Sequence, residues 1–296
     1  MIGRLAPSPT GALHLGNART FLWAWLSARS QRGRILMRIE DLDTPRVKPG
    51  VVQKLLDDLR WLGLDWDGDV VTQSARRDFY DARLADLRPN LYPCGCRRAD
   101  IAAAQSAPNE GDSELRYPAT CRDRAPATPV AWRLRVPPGT VDFDDLVHGA
   151  QSFDVERTVG DFVVAKADGW PAYQLAVVLD DIAMGVTEVV RGDDLLPSTA
   201  RQLLIYRLLG ATPPRTGHAP LVVGPDGRRL AKRHGESRLA ELRDKGVAPD
   251  RIVAALAAWS GLPPLGRPAE LVPHWDWAKV SRERVVLTAA KLSEIK

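Results

Sequence analysis

The sequence has no apolar run of membrane length. The best candidate, YQLAVVLDDIAMGVTEVV, is split by Asp180 and Asp181, whereas a span needs about 20 apolar residues. A membrane span is excluded on this reading, and no membrane partner is expected. Cysteine is scarce, with three residues in 296. An odd count argues against a disulfide framework and for a reducing, cytoplasmic compartment. The start, MIGRLAPSPTG, lacks the basic-then-apolar pattern of an export signal. There is no internal repeat and no long low-complexity segment. Nothing in the sequence demands a dimer, so a monomer is expected.

What is present is ordinary in bulk and uneven in detail. Hydrophobic residues make up 45% and charged residues 26%, values that fit a globular chain with a sizeable core. The net charge of +4 permits a polyanionic partner without demanding one. The clusters say more. RRLAKRHGESR, residues 228–238, sets five basic residues against one acid, and RSQRGR, residues 29–34, has three in six. Either is also readable as a solvated face.

Along the first ninety residues the pattern alternates. IGRLAP reads as a short strand ended by Pro7. ARTFLWAWLSARS places Phe21, Leu22, Trp25 and Leu26 on one helical face. RILMRIED is a strand in which Ile35, Met37 and Ile39 alternate with Leu36, Arg38 and Glu40. VVQKLLDDLRWLGL is an amphipathic helix stopped by Gly63. Strand and helix in alternation imply an α/β fold with a parallel sheet, and ligands of such sheets sit at the carboxyl ends of the strands. Residues 6–17 and 40–43 both fall there, so they are expected to line one crevice. From Cys94 to about Arg135 the chain is polar, carries four prolines and has no clear period, as an insertion would. VAWRLRVP and DFVVAKADGWPAYQLAVVLDD read as short strand-like pieces, TEVVRGDDLL as a strand and STARQLLIYRLLG as a helix capped by Ser198 and stopped by Gly210. The tail reads as a small helical lobe.

The stretch APSPTGALHLGN, residues 6–17, joins a strand to a helix. Backbone N–H groups and the positive end of a helix suit phosphate there. Gly11 and Gly16 allow close approach, and Pro7 and Pro9 stiffen the entry. The stretch matches neither a Walker loop nor G-x-G-x-x-G. Alone, His14 is more readily a structural histidine than a phosphate contact.

The order of several motifs resembles one family. P-x-x-T-G-x-L-H-L-G-N is similar to the HIGH motif of class I aminoacyl-tRNA synthetases, with His14, Leu15, Gly16 and Asn17 in its four places. RRLAKR, residues 228–233, falls where that class carries its KMSKS loop. RIEDLDTPR, LGLDWDG, AYQLAVVLDDIAMGVTEVVRGDDLL and HAPLV resemble, in order, the glutamyl-tRNA synthetase catalytic core over about residues 1–240. Such synthetases continue into an anticodon-binding region, whereas this sequence ends at Lys296. It therefore resembles the truncated paralogues that attach glutamate to the queuosine base of tRNA(Asp). Those proteins are similar in carrying C-x-C followed by Y-x-x-x-C, here CGC and YPATC.

The resemblance implies a Rossmann-like catalytic domain in two halves, 1–92 and 169–220. A zinc-containing insertion at 93–168 would divide them. A KMSKS-like loop and helical lobe would occupy 221–296, with no anticodon-binding domain. It implies ATP with Mg²⁺, L-glutamate and queuosine-bearing tRNA(Asp) as partners. His14, Gly16, Asn17 and Lys232 are the implied ATP residues, His14 and Lys232 being the catalytic ones. Arg4, Ala6, Ser8, Glu40, Tyr173 and Arg191 are the implied glutamate residues. Arg229 and Ala231 depart from the motif's lysine and serine. Cys94, Cys96, Tyr117 and Cys121 would hold a structural zinc ion; free thiols in an irregular loop are the alternative. Two other functions stay open: the core of a conventional tRNA(Glu)-charging enzyme, and a non-catalytic tRNA-binding paralogue.

Overall fold

A computed structural model describes residues 1–104, 116–228, 230 and 237–295. Its first unit is strand β1 (Ile2–Leu5), helix α1 (Leu15–Ser30) and strand β2 (Arg34–Ile39). β1 and β2 pair in parallel, Ile2 opposite Arg34 through Leu5 opposite Met37. Parallel neighbours need a crossover, and α1 supplies it. Helix α2 (Val51–Trp61) then leads to β3 (Val71–Thr72), which extends the sheet in parallel beside β2.

After α3 (Arg77–Leu87) come β4 (Leu91–Cys94), α4 (Arg98–Ala104), β5 (Ala131–Leu134), β6 (Val141–Asp145), β7 (Gly149–Phe153), α5 (Val155–Thr158) and β8 (Val163–Lys166). Strands β4, β5 and β8 form a separate antiparallel sheet. The chain continues through α6 (Tyr173–Ala183), β9 (Glu188–Gly192), α7 (Leu196–Leu208), β10 (Arg215–Ala219) and β11 (Val222–Val223). β10 lies parallel between β9 and β6, and β7 closes a hairpin on β6. β9 runs beside β1 in the same direction: the Thr187 N–H donates to the Ile2 carbonyl at 2.8 Å. The carboxyl ends of β1, β2, β9 and β10 therefore open on one side. The tail carries α8 (Leu239–Asp244), α9 (Pro249–Ala258), α10 (Pro268–Leu271), β12 (Val285–Val286) and α11 (Ala289–Ile295). β12 pairs with β11, so the tail is tied to the sheet region by a ladder as well as by packing.

Three local expectations are corrected. Helix α1 does not bury a single face. Leu15, Ala18, Leu22, Trp23, Ala24, Trp25, Leu26 and Ala28 are all buried, because the sheet covers one side and the C-terminal helices the other. Trp23 meets Trp275 and Trp277 edge-on at 5.6 and 6.1 Å. Arg19, 1% exposed, donates to the carbonyls of Pro220 and Trp259 and to Ser260 Oγ, a favourable place for a cation beyond the end of α9. Second, residues 173–183 form a helix, not a strand-like piece. Their apolar run is buried on most sides, so no period separates helix from strand. Third, Ser198 is not a cap. Helix α7 begins at Leu196, and the Ser198 hydroxyl accepts from Gln174 and Arg201 inside the fold. Among the described residues no helix is long and apolar enough to cross a membrane.

Candidate active site

A cleft of about 850 Å³ opens at the carboxyl ends of β1, β2 and β9. Its wall includes Arg4, Ala6, Ser8, His14, Gly16, Asn17, Glu40, Tyr173 and Arg191. Nine of the residues singled out from the sequence thus meet at one cavity. Lys232, with Arg229 and Ala231, lies outside the described residues. The Glu40 N–H donates to the Pro7 carbonyl at 3.0 Å, which ties the two strand-end loops together as expected.

His14 is the N-cap of α1. Its Nδ1 accepts from the Asn17 N–H, and Asn17 Oδ1 accepts from the His14 N–H, both at 3.3 Å. This reciprocal capping fixes the ring and the first turn together. A methyl group at Gly16 would stand 3.0 Å from His14 Cε1, so any side chain there would press on the ring. The positive end of a sixteen-residue helix faces the cavity.

Beneath the cleft lies a buried ion network. Arg38 is fully buried and contacts Asp181 at 2.6 Å, Glu40 at 3.0 Å and Asp180 at 3.8 Å. Arg4 stands 3.7 Å from Asp181 and donates to the Val190 carbonyl at 3.1 Å. Burial lowers the pKa of Arg4, against the pull of Asp181. Burial also raises Glu40, against the pull of Arg38 and Arg4. Glu40 is therefore both an ion-pair partner of Arg38 and a cleft residue. Tyr173 starts α6 and is 39% exposed, so ordinary packing does not account for its position.

Arg191 is arranged differently. Nε donates to His218 Nε2 at 3.1 Å, and Nη2 donates to Thr199 Oγ1 at 2.8 Å. Nη1 is buried and has no hydrogen-bond partner among the described residues. His218 Nδ1 pairs with Asp145 Oδ2 at 2.6 Å. Burial opposes ionisation of Asp145, but hydrogen bonds from His218, His148 and Val147 bring its pKa down to about 2. Burial pushes the imidazole of His218 below its ordinary value. Sequence reasoning missed Asp145, Thr199 and His218. Thr199 lay in STARQLLIYRLLG and His218 in the HAPLV block, but neither block carries partner information.

A second cluster sits beside the β4–β5–β8 sheet. The sulfurs of Cys94, Cys96 and Cys121 lie within 4.8 Å of one another. Cys96 and Cys121 are 3.6 Å apart. Tyr117 Oη is 3.4 Å from Cys94 Sγ and 4.0 Å from Cys96 Sγ. Zinc with thiolate bonds near 2.3 Å sets tetrahedral ligands about 3.8 Å apart, so these spacings suit that ion. Gly95 allows the tight C-x-C, since a methyl there would meet Pro126 at 2.9 Å. Burial and the neighbouring sulfurs push the Cys96 thiol up to about 11, which a bound cation would reverse. The Arg133 guanidinium donates to Cys94 Sγ at 3.1 Å and stacks 3.7 Å from the Tyr117 ring centre. The cluster is compatible with zinc.

With this geometry in view, comparison with known proteins is specific. Residues 1–267 match the family described as tRNA synthetases class I (E and Q), catalytic domain. The chain belongs to that family, a class of aminoacyl-tRNA ligases. Within it the chain groups with proteins named Glutamyl-Q tRNA(Asp) synthetase. It is 46% identical to the one from Rhodopirellula baltica, over 96% of this chain and 95% of that protein. It is 48% identical to the one from Symbiobacterium thermophilum, over 100% and 98%. A crystal structure of a glutamate tRNA ligase from Elizabethkingia meningosepticum, in complex with its amino acid, superposes with a TM-score of 0.85 at 28% identity. That match covers 99% of this chain and 68% of the other.

Proposed function

We propose that the chain activates L-glutamate with ATP and transfers it to the queuosine base in the anticodon of tRNA(Asp). One observation carries the glutamate part: Arg191 presents a buried, unpartnered guanidinium nitrogen at a cleft that also holds Arg4 and Glu40. A carboxylate satisfies such a donor, and an acid satisfies an ammonium. On this reading Arg191 grips the side-chain carboxylate, Arg4 the α-carboxylate and Glu40 the ammonium. Ser8 and Tyr173 orient the substrate through their hydroxyls, and Ala6 shapes the wall. The names of the relatives support the choice of queuosine and tRNA(Asp), and with it a cytoplasmic place of work.

In the first step a carboxylate oxygen of glutamate attacks the α-phosphorus of ATP, and pyrophosphate leaves. In the second, a hydroxyl of the queuosine cyclopentene ring attacks the acyl carbon, and AMP leaves. Neither step needs a covalent enzyme intermediate, so the protein's work is positioning and charge stabilisation. His14 and the first turn of α1, with Gly16 and Asn17, hold phosphate oxygens. Lys232 balances charge on the leaving pyrophosphate. Mg²⁺ accompanies ATP and shields its phosphates. Cys94, Cys96, Cys121 and Tyr117 would hold zinc in a closed, structural set. The reading divides the chain as 1–92, 93–168, 169–220 and 221–296.

The test is transfer of labelled glutamate to tRNA from cells that make queuosine and from cells that do not. Label confined to tRNA(Asp) of the first pool is expected. Equal label at the 3′ end of tRNA(Glu) in both pools makes the chain a conventional charging core. No label and no glutamate-dependent pyrophosphate exchange leaves a tRNA-binding paralogue.

A further inference from the structure

We propose that His218, held by Asp145, is a positioning residue that aims Arg191 at the substrate's side-chain carboxylate. The inference rests on the reading that this cleft takes glutamate, and it explains how one arginine there keeps its charge available.

An arginine Nε carries a hydrogen and no acceptor lone pair. Its bond to His218 Nε2 therefore requires a lone pair on that nitrogen. The ring proton must then sit on Nδ1, facing Asp145 Oδ2 at 2.6 Å. Asp145 is itself fixed, since its Oδ1 accepts the backbone N–H groups of Val147, His148 and His218. The β6–β7 turn thus sets the carboxylate, the carboxylate sets the tautomer, and the tautomer sets Arg191. Thr199 Oγ1 accepts from Nη2 and lies 3.2 Å from His218 Nε2, so both bonded nitrogens are held from one side. Nη1 is the nitrogen left over.

The chemistry of the cradle matters as much as its geometry. A carboxylate directly on Arg191 would fix it equally well but would cancel its charge. An imidazole and a hydroxyl are neutral. They fix the fork and leave the positive charge for a ligand. Arg4, by contrast, shares Asp181 with Arg38. Discrimination between a side-chain carboxylate and the isosteric neutral amide would then depend on Arg191 and on what holds it.

Two substitutions separate positioning from plain structural support. In His218→Asn the short amide reaches the Nδ1 position, keeping the bond to Asp145 and losing the acceptor for Arg191. In His218→Gln the longer amide reaches the Nε2 position, keeping an acceptor for Arg191 and losing the bond to Asp145. Pyrophosphate exchange is measured on the full chain, with tRNA present, using glutamate and glutamine as probes, alongside thermal unfolding. The expected result is crossed. His218→Asn unfolds near wild type but raises KM for glutamate roughly tenfold or more, with a smaller change in kcat and a lowered glutamate-to-glutamine preference. His218→Gln is the less stable variant yet recovers most of the KM and the preference. If KM instead follows stability across the two variants, or if His218→Asn matches wild type, the positioning role is overturned. A wild-type chain without glutamate-dependent exchange overturns the glutamate reading, and this inference falls with it.

Discussion

In the cleft, Arg191 is held by an imidazole and a hydroxyl and has a nitrogen to spare. In the thiol cluster, three sulfurs and a phenol oxygen crowd together with Arg133 against them. The cleft gathers cations and leaves a buried guanidinium donor of Arg191 without a partner among the described residues. The cluster gathers groups that become anions once a metal displaces their protons. The difference teaches two signals of a missing group: a buried donor with no partner, as at Arg191, and soft ligand atoms crowded at metal spacing, as in the thiol cluster.

The sharpest way to break the comparison is Arg191→Ala. Losing a charge-assisted contact in a closed pocket costs about 3 kcal/mol, or roughly a hundredfold in kcat/KM for glutamate. Exchange kinetics measure it, and zinc content should stay unchanged. Cys121→Ser is the converse. Bound zinc should drop well below one per chain by elemental analysis, and thermal unfolding should shift down by several degrees. Amino-acid activation should stay within a few-fold. A hundredfold loss there would mean the two regions are coupled.

Acid offers a smaller, graded test. Asp145 lies at about 2, below its ordinary 3.8, so its stabilisation is complete above about pH 4. It is lost as pH falls towards 2, on the order of 2 kcal/mol in total. His218, faced by Asp145, His148 and Arg191, is lowered by burial. The unfolded chain then takes that proton first, and stability begins to decline as pH drops below about 6.5. Urea midpoints across pH 7 to 2.5 should show both phases, and Asp145→Asn should remove the lower one. The smallest effect is expected for Gly16→Ala. Its methyl presses on His14 Cε1, so KM for ATP should rise a few-fold while KM for glutamate holds.

Much of the cleft was legible because its residues sit in motifs at strand ends. Arg4 and Arg191 lie near the carboxyl ends of β1 and β9, and Glu40 directly follows β2; such positions point to ligands. The tyrosine of the thiol cluster was legible only through the resemblance to the family's Y-x-x-x-C pattern. What stayed hidden depends on pairs distant in the chain. Asp145 and His218 are separated by 73 residues, and no period or spacing connects them. The α6 segment was misread for another reason: burial on most sides erases the alternation that distinguishes strand from helix.

The buried position of α1 also governs how the chain is made. Arg19 bonds Ser260, Trp23 bonds the same hydroxyl, and Trp277 bonds Ser27, across separations of 241, 237 and 250 residues. At roughly 5–20 residues per second of synthesis, the first helix waits on the order of 10–50 s for those partners. Such long-range closure is slow to pay back its loop entropy. A ribosome-bound chain therefore carries an uncovered α1 for most of its synthesis. Its outer side is covered only when residues 259–277 emerge.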